Sequence, residues 1–170
     1  MVKRSILLLL FFLTSCGHPD GVMTPVPLSA SAPPTSKVAM LVATTREPSG
    51  DPATLFNGER SSKPHLTQIT VSIPPKREPG TVQWPKRLPP DPATDFAVTN
   101  AQQIDTIAQG REWFAQHVNA GHALVFIHGF NNTYGDSVFR LTQIVHDSKM
   151  EATPSPVHMA VASRNHRLPV

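Results

Sequence analysis

The chain switches between two spacings of apolar residues, a strict period of two and one close to a helical turn, with polar and proline-rich stretches between them. Alternation is clearest in LTQITVSI, where Ile69, Val71 and Ile73 share one side and Thr70 and Ser72 the other. That period predicts a strand with one buried face. The run from Val38 to Arg46, VAMLVATTR, is short, apolar and β-branched, and predicts another strand. Between them EPSGDPATLFNGERSSKPH is dense in Gly, Pro, Ser and Asp and predicts a long surface loop. Thr81 to Trp84 predicts a brief third strand, closed by Pro85.

Further on the spacing becomes helical. Ile104, Ile107, Phe114 and Val118 recur at near-helical intervals, with Thr99 or Asn100 available to cap the start and Gly121 the end. Gly110 inside this stretch costs about 1 kcal/mol relative to Ala and predicts a bend or a split. HALVFIH, His122 to His128, is a continuous apolar run of the kind a strand covered on both faces requires. After a short loop, GDSVFRLTQIVHDSK sets Val138, Leu141, Ile144 and Val145 on one stripe, with Asp136 placed to cap the first turn. That is an amphipathic helix. The order strand, strand, helix, buried strand, helix predicts an α/β layer architecture.

The first residues add a compartment. Lys3 and Arg4 precede an unbroken apolar stretch from Ile6 to Leu13, too short for a permanent transmembrane helix, and predict a secretory signal. Leu13-Thr14-Ser15-Cys16 resembles a bacterial lipobox, in which Cys16 becomes the lipidated first residue of the mature protein and its link to the membrane. A plain signal peptide with an incidental cysteine is the alternative. Gly17 rather than Asp beside Cys16 makes the outer membrane, rather than the inner, the expected place of a periplasm-facing anchor. The single cysteine excludes a disulfide within the chain. GHPDGVMTPVPLSASAPPTS then offers almost nothing to bury and predicts an extended tether, with a proline-rich docking ligand as the alternative. The predicted organisation is a signal over 1–15, a tether over 16–36, a partial α/β domain over 37–157 and a tail over 158–170.

The net charge of +3 is modest and lies partly in the signal. The local basic pairs, Lys76-Arg77 and Lys86-Arg87, lack an aromatic stacking platform or a repeated basic stripe, so they predict solvated turns and no nucleic-acid partner. His117, His122 and His128 show no usual ligand spacing, and neither a metal nor another cofactor is expected.

Candidate chemistry centres on FIHGFNN, Phe126 to Asn132. A buried strand that ends in His-Gly and feeds a helix places backbone N–H groups at a sheet's carboxyl edge, where Gly129 allows a turn and the close approach of a substrate oxygen. Backbone donors fixed there are how acyl-transfer enzymes stabilise a tetrahedral oxyanion. The block LVFIHGFNNTYGDSVFRLTQIVHDS, with MLVATTREPSGDPATLFNGER, ITVSIPP and VQWPKRLPPDPATDF, resembles the amino-terminal half of a family of bacterial α/β-hydrolases of otherwise undefined function, many of them exported or lipid-anchored. The resemblance spans Val38 to about Val157 and implies the amino-terminal half of an α/β-hydrolase sheet. By position, His128, Gly129 and Phe130 would form the oxyanion loop, with the Phe130 N–H as donor. Asn131 and Asn132 would hold the loop shape or line the cavity mouth. A hydrogen-bonded strand-end residue without chemical role is the alternative for His128.

The same fold needs a nucleophile on a G-x-S-x-G turn, then an acid, then a histidine. None of the three is assignable here, because Gly135-Asp136-Ser137 lacks the second glycine and begins a helix, which makes Ser137 an ordinary first-turn residue. The resemblance therefore implies a truncated, inactive chain whose full-length relatives take small ester-like substrates. After Pro156-Val157 the apolar pattern lapses, whereas the relatives usually continue as a strand into Trp-Pro-Ser. Codons permitted for His158 to Ser163 spell Thr-Trp-Pro-Ser-Arg one base later, so residues 158–170 are expected to be an out-of-frame tail. Two functions follow as expectations: an envelope-anchored, inactive esterase or lipase-like homologue, or a non-catalytic lipoprotein acting as a binding or structural module.

Overall fold

A computed structural model describes residues 18–29, 34–117, 123–129 and 131–149, and the backbone of 157–162. The signal, Cys16, Val118, Gly121, Phe130 and the tail beyond Ala162 lie outside the described residues. In chain order the elements are β1 (Ser36–Pro48), β2 (Phe56–Ile73), β3 (Ala97–Ile104), α1 (Ile107–His117), β4 (Ala123–Ile127), α2 (Tyr134–Asp147) and β5 (Val157–Ala162). They form one sheet in the order β3-β2-β1-β5-β4. β1, β2 and β3 pair antiparallel, while β5 runs parallel to both β1 and β4.

Period-two alternation decides which side chains meet. Met40 and Val42 of β1 and Ile69, Val71 and Ile73 of β2 turn to one face, where Val138, Phe139, Leu141 and Val145 of α2 close the main core. Leu41 points to the other face and packs with Trp113 of α1, joined by Leu66, Ile104 and Phe114. A helix on each face of a mixed sheet is the α/β layering that the element order predicts.

Several elements differ from the sequence reading. The stretch from Phe56 to Pro64 is not loop: β2 runs 18 residues and pairs with β1 as far as Arg46↔Arg60 and Pro48↔Phe56, through bulges. Its outer half is mostly exposed, so the backbone ladder holds it with little apolar burial, and no hydrophobic period marks it. Thr81 to Trp84 forms no strand. The third strand is instead Ala97–Ile104, in the stretch that the helical spacing assigned to a helix start, and it pairs with β2 from Leu66↔Ile104 to Ser72↔Ala97.

The first helix accordingly begins later. Thr106 Oγ1 accepts from Gln109 N at 3.2 Å, and Gln109 Oε1 accepts from Thr106 N at 3.1 Å. This reciprocal capping box satisfies amides that the first turn leaves open. Ile107 is 74% exposed and Trp113 is the buried aromatic, which corrects the predicted stripe. Gly110 does not split the helix, which runs unbroken from Ile107 to His117; a Cβ there would meet Leu66 Cδ1 at 3.4 Å, an ordinary contact, so the packing on β2 does not require glycine.

The predicted tether is also corrected. Val22, Met23 and Val26 are buried, and the backbone bonds in twice, Met23 N to Ala53 O at 2.9 Å and Val26 N to Val98 O at 2.8 Å. Val22 and Met23 join the main core, and Val26 is buried beside its bond to Val98 O, so few apolar residues among the prolines suffice to dock the segment. Of the basic pairs, Arg77 is not a solvated turn residue: its side chain is 5% exposed, paired with Asp147 and placed over the Phe96 ring.

At the other end, residues 157–162 form β5, registered from Ala123↔Val157 to Ile127↔Val161 on β4. The ordered pattern thus runs past Val157, where the sequence reading ended the domain. β4 is the terminal strand of the sheet, and it is not covered on both faces. Leu124 and Phe126 pack on the main core, whereas Val125 is 55% and Ile127 70% exposed.

Candidate functional site

Parallel β4 delivers its carboxyl end to a short loop that feeds the amino end of α2. His128 is buried, and its Nδ1 donates to the carbonyl of Gly129 at 2.7 Å. Asn132 Nδ2 donates to the same carbonyl at 3.0 Å. One peptide oxygen is therefore held from two directions. Gly129 is exposed and outside the left-handed region, and a Cβ on it would come no closer than 4.0 Å to Asn132 Nδ2, so the turn does not require glycine. The left-handed residue is Asn131, at φ 61°, a conformation that Asn tolerates better than most side chains. Phe130, the expected donor, lies outside the described residues.

The helix that follows is capped by Thr133. Its Oγ1 accepts from Asp136 N at 3.1 Å, while Asp136 Oδ2 accepts from Thr133 N at 2.7 Å. Asp136 is thus the third helical residue of a capping box rather than the cap itself. Its Oδ1 also lies 3.1 Å from His18 Nδ1, and the His18 ring stacks on Trp84 at 3.8 Å. Ser137 is buried and donates to Thr133 O at 3.1 Å, the role of an ordinary first-turn residue.

From the opposite side Arg46 reaches across. Its Nη2 donates to Asn132 O at 2.6 Å and its Nη1 to Asn57 O at 3.2 Å, while Nε is buried without a partner. Burial lowers its pKa and nearby Asp136 acts the other way. The sequence reading missed this residue, although the signal was present: Val38, Met40, Val42 and Thr44 all face inward, and the same parity turns Arg46 inward too.

Two cavities open beside the loop. One of about 250 Å³ is lined by Arg46, Phe56, Asn57, Asn132 and Tyr134 among others. The second, about 590 Å³, is lined by His18, Trp84, Asn131, Asn132, Thr133 and Arg140 among others. Neither lining contains a serine or cysteine. Burial pushes the Tyr134 phenol well above its usual range, against a smaller opposite effect of Thr67, so it stays a neutral hydroxyl. A Ser–His contact occurs elsewhere, Ser61 Oγ to His65 Nε2 at 3.0 Å, but neither residue lines these cavities.

Residues 107–168 match the model of a family described as alpha/beta hydrolase of unknown function (DUF900). The matched stretch takes in α1, β4, the 128–132 loop, α2 and β5, so the hydrolase-like segment contains the site loop whole. β1 to β3 and the docked segment fall outside it. The match is narrower at the front than the resemblance from Val38 and reaches further at the back than Val157. Neither the curated proteins nor the solved structures contain a match to this chain.

Proposed function

We propose that the chain is an envelope-anchored homologue of α/β-hydrolases that holds the oxyanion arm of an acyl hydrolase and performs no acyl transfer by itself. The clamp on the Gly129 carbonyl supports this reading most strongly. A trans peptide points its N–H opposite its C=O, so two hydrogen bonds on that oxygen fix the direction in which the following amide donates. Phe130 N–H would then be the prepared donor for a developing oxyanion. Arg46, through Asn132, keeps the clamp in place. His128 serves as a buried donor that orients the carbonyl, and Asn131 and Asn132 set the loop's path. Among the described residues neither cavity is lined by a serine or cysteine, which argues against turnover through such a nucleophile.

The anchor belongs to the same proposal. A signal over 1–15 and a lipidated Cys16 would place the fold at the periplasmic side of a bacterial membrane, with the outer membrane as the expected destination. In relatives that supply nucleophile, acid and histidine, the ligand class would be a small ester. Binding without chemistry is the second reading, favoured by an open cavity rich in polar donors beside the loop. A titration with a short alkylphosphonate, a tetrahedral anion, separates the two. Amide resonances of 128–132 are expected to shift in a saturable way, and shifts confined to other residues would refute the oxyanion arm.

A further inference from the structure

We propose that Lys86, Arg87 and Leu88 form a seat for an anionic lipid bilayer. The loop after Trp84 presents two cations and a leucine together at the surface, with Leu88 47% exposed. Neither Lys86 nor Arg87 has a hydrogen bond or ion pair with another described residue. The carboxylates that share their surface hollow, Asp91 and Asp95, are engaged by their own turn: Asp91 Oδ1 accepts from Ala93 N at 3.0 Å, and Asp95 Oδ2 from Asp91 N at 3.0 Å. Both carboxylates keep their charge and offset part of the local positive field, but neither pairs with Lys86 or Arg87, whose donors stay open to an external anion. A leucine beside them offers apolar surface to an acyl layer, and cations beside an apolar anchor are the usual composition of a membrane-facing surface.

Placement supplies the second argument. The loop lies against the docked amino-terminal segment at both of its ends: Trp84 stacks on His18 at 3.8 Å, and a Cβ on Gly21 would come within 3.1 Å of Leu88 Cδ1. Cys16 is only two residues before His18, and two Cα–Cα steps span at most about 7.6 Å. With the anchor of the proposed function in place, the basic loop cannot stand far from the headgroups. The segment is held on the fold by the Met23 and Val26 backbone bonds; a free tether would have allowed the fold to hang tens of ångströms away, on the order of 3 Å per extended residue. The seat also fixes the orientation of the neighbouring cavity, since His18 and Trp84 line it with Asn131 and Asn132. Its opening then lies beside the bilayer.

The orientation rests on the anchor reading, and the experiment separates the two. The mature protein is reconstituted in vesicles of phosphatidylcholine with or without phosphatidylglycerol, and amide hydrogen exchange is followed over residues 84–89. Exchange is expected to slow several-fold in the phosphatidylglycerol vesicles, to recover in high salt, and to be insensitive to lipid in a K86E/R87E variant. Equal exchange in both vesicle types, or protection by an oligonucleotide with none by vesicles, overturns the seat. The intact mass of the same protein reports lipid on Cys16. If that mass shows a free cysteine, the anchor reading fails alone, and the unlipidated protein must still show phosphatidylglycerol-dependent protection for the seat to stand.

Discussion

Arg46 Nη2 donates to the main-chain carbonyl of Asn132 at 2.6 Å, so the end of β1 holds the loop that leaves β4. The two residues are 86 positions apart, and this bond ties the antiparallel half of the sheet to the hydrolase-like segment. Replacing Arg46 by Met keeps much of the apolar stem and removes both donated bonds. The expected result is a loss of about 1.5–3 kcal/mol, the range for hydrogen bonds made by charged groups. Faster amide exchange at 128–132 should accompany it. Denaturant titration gives the first quantity and exchange mass spectrometry the second; an unchanged loop would remove Arg46 from the clamp.

Met23 is 1% exposed under a segment whose composition reads as a tether. Met23→Ala should destabilise the protein by about 2–4 kcal/mol, as buried Met→Ala changes do. A segment without a packed role would change stability by less than about 0.5 kcal/mol. Thermal melting of the two proteins decides between them.

Asp147 joins α2 to the loop at 77–81. It is paired with Arg77, and it accepts from Gly80 N at 2.7 Å and from Gln143 Nε2 at 2.7 Å. The Arg77 bond holds its carboxyl well below the ordinary carboxylate range; burial, the next largest effect, acts the other way, and the Gly80, Gln143 and His146 bonds add smaller lowering effects. A depressed folded-state pKa means that the contribution is complete above the unfolded value near 3.8 and is lost as pH falls below it. Stability of the native protein should therefore fall between about pH 5 and pH 2. Asp147→Asn should be less stable at neutral pH and show a shallower acid loss, measured by urea titration at several pH values.

Val125 and Ile127 leave an apolar strip on the terminal strand of the sheet, the arrangement that favours edge pairing between molecules. Val125→Lys with Ile127→Lys should reduce self-association in light scattering. The change in unfolding free energy should stay within about 0.5 kcal/mol per site, as at ordinary surface positions.

Legibility in the sequence followed the physics of each element. α2 was readable because Val138, Leu141 and Val145 must fall on one stripe to reach the core. β4 was readable as a strand from its continuous apolar run, although that run overstated its coverage, since Val125 and Ile127 are exposed. β3 was not, since Ala97 to Ile104 has no clean alternation: consecutive Ala97 and Val98 are both buried, while consecutive Gln102 and Gln103 are both exposed. Ile104 and Ile107, three apart, imitated a helical period across a strand-to-helix junction. Thr106 and Gln109, a capping-box pair, were the signal that places the boundary. Docking of Val22, Met23 and Val26 was invisible because isolated apolar residues carry no period. The connection between β4 and α2 was legible from His-Gly, but the Arg46 contact with Asn132 that supports it is encoded by no local pattern.

Intact-mass analysis of the mature protein after exposure to an excess of a fluorophosphonate tests the central claim most directly, because such probes react only with an activated hydroxyl. The account predicts an unmodified mass under conditions that label an active serine esterase fully. A single stoichiometric adduct, on Ser61 or any other serine, would contradict it.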